Sequence, residues 1–125
     1  MDWKLELVFV PVSDVDRAKD FYVNKVGFNA DFDERPSDSI RFVQLTPPGS
    51  ACSICIGEGL TEAAPGTAPS LQMVVGDIQA AHAQLKNNGV DVSEVDVQDW
   101  GHFVYFADPD GNKWAVQYIP NRPNG

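Results

Sequence analysis

Few side chains in this chain have the type and spacing that chemistry requires. Cys52 and Cys55 form a C-x-x-C pair, a spacing that opens a helix in redox proteins. Here the surrounding segment, Ala51 to Gly57, reads as a strand. Residues three apart on a strand point to opposite faces and stand ~10 Å apart. A disulfide needs alpha carbons within ~7 Å, and a zinc site needs two further ligands that no second pair supplies. Both cysteines therefore read as reduced thiols without a redox role. Of the two histidines, His82 falls between the apolar stripe of a helix and solvent, and His102 precedes a strand beside Trp100. Asp14 and Asp77 read as helix caps. Asp108 and Asp110 read as turn residues, and Asp31, Asp33, Glu34 and Asp38 as an exposed acidic loop. No two carboxylates show the spacing of an acid/base pair. There is no nucleophile elbow, phosphate-binding glycine loop or dinucleotide fingerprint, so no catalytic residue is assigned.

The 125 residues fit one domain, 1–125, with 43% hydrophobic and 22% charged side chains, ordinary for a globular protein with a core. Nine basic against 18 acidic residues give a net charge of -9. That balance repels phosphate backbones and anionic lipid, so neither nucleic acid nor a membrane surface is an expected partner. It attracts cationic ligands, although acidic charge also simply aids solubility. No stretch approaches the ~20 apolar residues of a membrane span, and the start lacks the basic, then apolar, pattern of a signal peptide. The expected compartment is the cytoplasm.

The elements that must position these residues come in two similar halves. Leu5 to Val12 is an apolar run ended by Ser13-Asp14. Val15, Ala18, Phe21, Tyr22 and Val26 then recur at helical spacing, and Gly27 stops the helix. In the second half Leu71 to Val75 is the run, Gly76-Asp77 opens a helix striped by Ile78, Ala81 and Leu85, and Asn88-Gly89 ends it. Asp14 and Asp77 are 63 residues apart, as are Ala18 and Ala81. Strands follow at Phe28 to Phe32, Ile40 to Thr46 and Ala51 to Gly57, then at Val90 to Val95, Phe103 to Ala107 and Lys113 to Ile119. Pro47-Pro48-Gly49 and Asp108-Pro109-Asp110-Gly111 are tight turns. The order is βαβββ, linker, βαβββ: module 1 at about 4–57, linker 58–69, module 2 at about 70–119 and a tail 120–125. The expected fold is α+β, with two βαβββ modules forming a curved mixed sheet around a shared pocket.

Val12-Ser13-Asp14-Val15-Asp16-Arg17-Ala18-Lys19-Asp20-Phe21-Tyr22, Lys25-Val26-Gly27-Phe28, Val74-Val75-Gly76-Asp77-Ile78, Asn88-Gly89-Val90 and Phe106-Ala107-Asp108-Pro109-Asp110-Gly111-Asn112 together resemble the vicinal oxygen chelate superfamily. That superfamily includes glyoxalases, extradiol dioxygenases and bleomycin-resistance proteins. The resemblance covers nearly the whole chain and implies the glyoxalase/bleomycin-resistance-like fold. The metal enzymes of the family hold a divalent ion through His and Glu on the first and last strand of each half. Carried over by position, those sites fall on Leu7, Ser70 and Ala115, with Ser53, or Cys55 after a slip of two, as the fourth. None is His or Glu, so no metal and no cofactor is expected.

The same alternation turns Leu5, Leu7 and Phe9, Ser53 and Cys55, Ser70, Gln72 and Val74, and Lys113, Ala115 and Gln117 inward. Trp100 and His102 join them by resemblance to a Trp-Gly of the bleomycin-resistance relatives, where aromatic side chains stack on planar rings; the other reading of Trp100 is a plug for the end of the barrel. Leu7, Phe9, Ser53, Cys55, Ser70, Gln72, Trp100, His102, Ala115 and Gln117 are thus the expected ligand-binding residues. The expected function is binding or sequestration of a small organic molecule by a homodimer. The alternative is a lyase, isomerase or dioxygenase that is metal-independent or uses ligands placed elsewhere.

Overall fold

The computed structural model describes residues 1–120. Its elements run β1 (Leu7–Phe9), α1 (Val15–Asp20) continued by a π-helix (Phe21–Val26), β2 (Asn29–Ser37), β3 (Ile40–Thr46), β4 (Ser53–Glu58), β5 (Leu71–Val74), α2 (Ile78–Asn87), β6 (Asp96–Gln98), β7 (Gly101–Ala107) and β8 (Lys113–Tyr118). They form two four-stranded sheets, ordered β1-β4-β3-β2 and β5-β8-β7-β6. In each, the first strand pairs parallel with the last and the other pairings are antiparallel. The two βαβββ modules are therefore real repeats. The expected tail lies outside the described residues from 121 on.

Both helices start where a short acidic side chain caps them. Asp14 accepts from the Arg17 amide at 3.0 Å and Asp77 from the Ala80 amide at 3.0 Å, each satisfying a donor that the first helical turn leaves free. Gly27 ends the first helix at φ 99°, a left-handed conformation that glycine adopts without Cβ strain. The widened turn before it was not expected from the periodicity. There the amides of Gly27 and Phe28 both donate to the Tyr22 carbonyl, at 2.9 and 2.8 Å, and the adjacent Phe21 and Tyr22 are both buried.

Those two aromatic rings join the modules. Phe21 meets Phe106 at 6.1 Å and Tyr22 meets Trp114 at 5.8 Å between centroids. One core accordingly holds Val43, Leu45, Ile54 and Ile56 of the first sheet, Val104, Phe106, Trp114 and Val116 of the second, and the helices between. Trp114 lies in this core, as its alternation with Ala115 implies.

The Asp108-Pro109-Asp110-Gly111-Asn112 turn is the second tie. Asp108 is buried and its carboxylate accepts from the Tyr22 hydroxyl at 2.8 Å, the Asn112 side chain at 2.8 Å, and the amides of Asn112 and Asp110 at 2.9 and 3.0 Å. Asn112 also donates to the Pro11 carbonyl at 2.9 Å, and Ser13 donates through its hydroxyl to Asp110 at 2.6 Å. The family-type turn of module 2 thus grips the strand-to-helix connection of module 1. Burial foremost, then the Asp108 carboxylate, pushes the Tyr22 phenol far above its ordinary value, so it stays a donor.

Three expectations need correction. Val90 to Val95 is not a strand. Val90, Val92 and Val95 pack on the core, but Ser93 ties instead to Tyr105: its amide donates to the Tyr105 carbonyl at 2.9 Å, and its hydroxyl oxygen accepts from the Tyr105 amide at 2.9 Å. The ladder begins only at Asp96. The strand expected at Phe28 to Phe32 runs from Asn29 to Ser37, with irregularities between Ala30 and Phe32 and between Glu34 and Ser37. The acidic loop is consequently strand over Asp31, Asp33 and Glu34.

Asp33 is not a free loop charge either. It accepts from the Arg41 guanidinium at 3.0 and 2.9 Å and from Lys19 at 2.8 Å, while Arg41 also reaches Asp16 at 2.8 Å. These hydrogen bonds, Arg41 first and Lys19 second, hold its carboxyl well below the ordinary 3.8. A carboxylate whose pKa is depressed on folding adds stability above its unfolded pKa and loses it as the pH falls toward the folded value. The urea midpoint of wild type should therefore exceed that of Asp33→Asn at about pH 6, and the gap should narrow as the pH falls to about 2.5. A gap independent of pH would assign the effect to packing.

Candidate functional site

Strand alternation and register divide each sheet into a helix face and an open face. On the first sheet Leu7 stands opposite Ser53 and Phe9 opposite Cys55, with Gln44 next to Cys55 on β3. On the second Gln72 stands opposite Ala115, Val74 opposite Gln117, and Phe103 and Tyr105 next to Gln117 and Ala115. These residues alternate with the core residues above and so lie on the open faces. Leu7, Phe9, Ser53 and Cys55 are brought together on one face, and Gln72, Ala115 and Gln117 on the other.

The remaining expected residues stand apart. Ser70 lies one residue before β5 and is exposed. Asp14 and Asp77 are 63 residues apart, whereas Phe9 and Val74, which occupy matching places opposite Cys55 and Gln117, are 65 apart. The strand-to-helix connection of module 1 is longer by two residues, so counting back from the cap lands on Ser70 when Gln72 is the counterpart of Leu7. His102 lies inside β7 rather than before it. It stands opposite Tyr118, at 5.6 Å between rings, and shares the helix face with Val104 and Phe106. Trp100 forms the β6–β7 hairpin turn and is 66% exposed. Its carbonyl accepts from the Gln117 side chain at 2.9 Å. This tie couples Trp100 to the open face that His102 turns away from.

The open face of the first sheet carries a chain of polar groups. Gln44 donates to Glu6 at 3.3 Å and to Ser53 at 3.1 Å, Ser53 and Thr46 share a bond of 2.6 Å, and Thr46 donates to Asp31. Gln44 and Ser53 are 8% and 5% exposed, and being bonded they stay buried at little cost. Around them Phe9 and Phe32 are exposed. On the second sheet Gln72 donates to Gln117, Tyr105 donates to Asp96 at 3.2 Å, and Phe103 and Tyr105 stack at 6.0 Å. Burial foremost, with the Asp96 hydrogen bond, raises the Tyr105 phenol. Sequence reasoning missed Gln44, Thr46, Phe103 and Tyr105. One signal was present: Gln44 interrupts the apolar run Phe42 to Leu45, as a residue on a second, functional face would.

Among the described residues, two partly open cavities lie beside the sheets. One, of about 310 Å³, lies between β1, β4 and the inter-module segment; Phe9 and Cys55 line it with Leu60, Thr61 and Pro65. The other, of about 420 Å³, lies along β5, with Gln72 and Val74 at its rim. Neither joins Ser53 to Ala115. The residues expected around one shared pocket are therefore divided between two faces of the chain. Among the described residues no three His, Cys, Asp or Glu side chains stand close enough to share a metal ion. Both cysteines are free.

Cys55 is 1% exposed, and burial pushes its thiol up to about 11. A buried thiol with so little thiolate near neutrality is a poor nucleophile. Iodoacetamide at about pH 7.5 should then label Cys52, which is only half-buried, well before Cys55. Intact mass should show one added group in the native protein and two after unfolding in urea. Rapid double labelling of native protein would contradict the burial.

The chain is 34% identical to TnmS3, an antibiotic-binding protein from Streptomyces sp. CB03234, with a TM-score of 0.85 covering 94% of this chain and 97% of that one. A glyoxalase/bleomycin resistance protein from the same source is 35% identical with a TM-score of 0.79, covering 91% and 99%. The uncharacterized protein YetH of Bacillus subtilis (strain 168) is 30% identical over 112 residues, 88% of this chain and 93% of that protein. Residues 4–116 match the family model, and the chain belongs to the Glyoxalase/Bleomycin resistance protein/Dioxygenase superfamily.

Proposed function

We propose that this protein binds a small, planar, largely apolar organic molecule on the open faces of its sheets and holds it without transforming it. The observation that carries the reading is the make-up of those faces. Exposed Phe9, Phe32, Val74 and Tyr105 surround buried, uncharged Gln44, Ser53, Ala115 and Gln117. Apolar walls with a few fixed hydrogen-bonding groups suit an organic ligand, and stacking on Trp100 and Tyr105 suits a flat one. The antibiotic-binding protein TnmS3, 34% identical over nearly the whole chain, supports the same reading.

The four positions that would face a metal, Leu7, Ser53, Gln72 and Ala115, offer no imidazole, carboxylate or thiolate. Ser53 already bonds to Gln44 and Thr46. Divalent transition ions need such donors, so these residues do not fit one. The reading includes a homodimer. Phe9 and Phe32 on one open face and Val74 and Tyr105 on the other are exposed, and a second copy laid over them would cover them and supply the missing wall of a pocket. It also places the protein in the cytoplasm.

Thermal-shift measurement against a panel of planar aromatic antibiotics tests the reading. A ligand that binds only the folded protein raises stability by RT ln(1 + [L]/Kd), so the melting temperature should climb steadily with concentration. A panel that leaves it unmoved, or a monomer mass by light scattering, would count against binder and dimer respectively.

A further inference from the structure

We propose that the 420 Å³ cavity along β5 is a second binding site, distinct from the open faces, for a neutral and mainly apolar organic molecule with one hydrogen-bonding group. The cavity is of the size that small ligands occupy, ~300–1,000 Å³. Its walls come from both modules. Val26 and Phe28 at the end of the first helix and the Pro47–Ser50 turn face Met73 of β5 and Ala81 and Leu85 of α2. Met73, Leu85 and Val116 belong to the helix side of the second sheet. A molecule seated here therefore lies mainly behind that sheet, at its β5 edge, where Gln72 and Val74 of the open face border it.

The chemistry of the occupant follows from the lining. The chain carries 18 acidic and 9 basic residues, yet no charged side chain lines this cavity. An ion would leave water without a counter-charge, a desolvation that costs several kcal/mol. Most of the wall is aliphatic, with one aromatic ring, Phe28. The polar groups are sorted by what they already do. Ser50 is occupied by its own turn, donating to the Cys52 carbonyl at 2.7 Å and accepting from its amide at 3.2 Å. Gln72 is bonded to Gln117. Gln84 lines the cavity from α2, and its exposed side-chain amide offers a donor and an acceptor to one ligand group. Because the walls belong to both modules, occupancy also ties the modules together.

Fluorescence titration with N-phenyl-1-naphthylamine, a neutral aromatic probe with one N–H, tests the site. Wild type should give saturable enhancement that includes one probe per chain at this cavity. Ala81→Leu fills the cavity from α2 and should weaken binding by about tenfold or more. Gln84→Leu, at an exposed position that folding does not need, should weaken it by about three- to tenfold through the lost hydrogen bond. In Tyr105→Ala, on the open face, the binding that Ala81→Leu and Gln84→Leu weaken should persist. That pattern supports the site. No saturable binding by wild type would overturn it. So would loss in Tyr105→Ala with Gln84→Leu unaffected, which would place the probe on the open face and leave the proposed function standing. If Ala81→Leu fails to fold by circular dichroism, Gln84→Leu alone decides.

Discussion

Asp108→Ala should lower the free energy of unfolding by about 3–5 kcal/mol, a large part of the ~5–15 kcal/mol that a domain possesses. The change removes little apolar contact. Its cost is the four donors that converge on the carboxylate: the Tyr22 hydroxyl, the Asn112 side chain, and the amides of Asp110 and Asn112. Each buried donor left unpaired costs about 1–3 kcal/mol, and water reaching the gap returns part of it. The effect also spreads, because Tyr22 accepts from the Trp114 indole at 2.9 Å while donating to Asp108. Without the acceptor, the phenol that joins the modules loses its fixed orientation. Asp108→Asn keeps the shape and one acceptor oxygen and should cost less, about 1–2 kcal/mol. Urea unfolding followed by tryptophan fluorescence and circular dichroism measures both. A loss below about 1 kcal/mol for Asp108→Ala would mean that the modules are held by their aromatic contacts alone.

Ala115→Trp should weaken ligand binding by about a hundredfold, with the fold retained. Ala115 sits at the centre of the second open face, between Gln72 on β5 and Tyr105 on β7. Its methyl is small and buried, but its neighbours are exposed. An indole there can lie over the sheet toward solvent rather than into the core. It would then occupy the surface that a planar ligand needs, and a steric loss of about 2–3 kcal/mol corresponds to that factor. Calorimetric titration with an antibiotic that stabilises wild type reads the affinity, and the urea midpoint shows that the variant folds. Unchanged affinity would remove the second open face from the site.

Much of the scaffold was legible because its signals are local. Ser13-Asp14 and Gly76-Asp77 mark caps, Gly27 marks a helix end, and the β3 boundaries at Ile40 and Thr46 follow directly from apolar content. Leu7 and Ser53 share one face of the first sheet, and Ala115 and Gln117 one face of the second, because strand parity is a property of the chain itself. What was not legible depends on distant partners. Phe21 and Tyr22, which open the π-helix, pack on Phe106 and Trp114 of the other module, contacts that local periodicity does not reveal. The displacement of β6 to Asp96 accompanies Ser93 bonding to Tyr105, and His102, read as preceding its strand, takes the helix face because β7 begins at Gly101. The Ser13–Asp110 contact spans 97 residues, so a turn that reads as mere punctuation proves to be the fastening between modules. Ser70 misled for a related reason. The repeat holds from helix to helix, but the connection before the first helix is two residues longer.

The central claim is retention without turnover, and native mass spectrometry tests it most directly. The protein would be incubated with planar aromatic antibiotics, its complexes weighed intact, and the bound molecules released with acid and weighed again. The account predicts noncovalent complexes, carried by a dimer, that release each ligand at its original mass. Ligand released with an altered mass would contradict it and make this chain an enzyme.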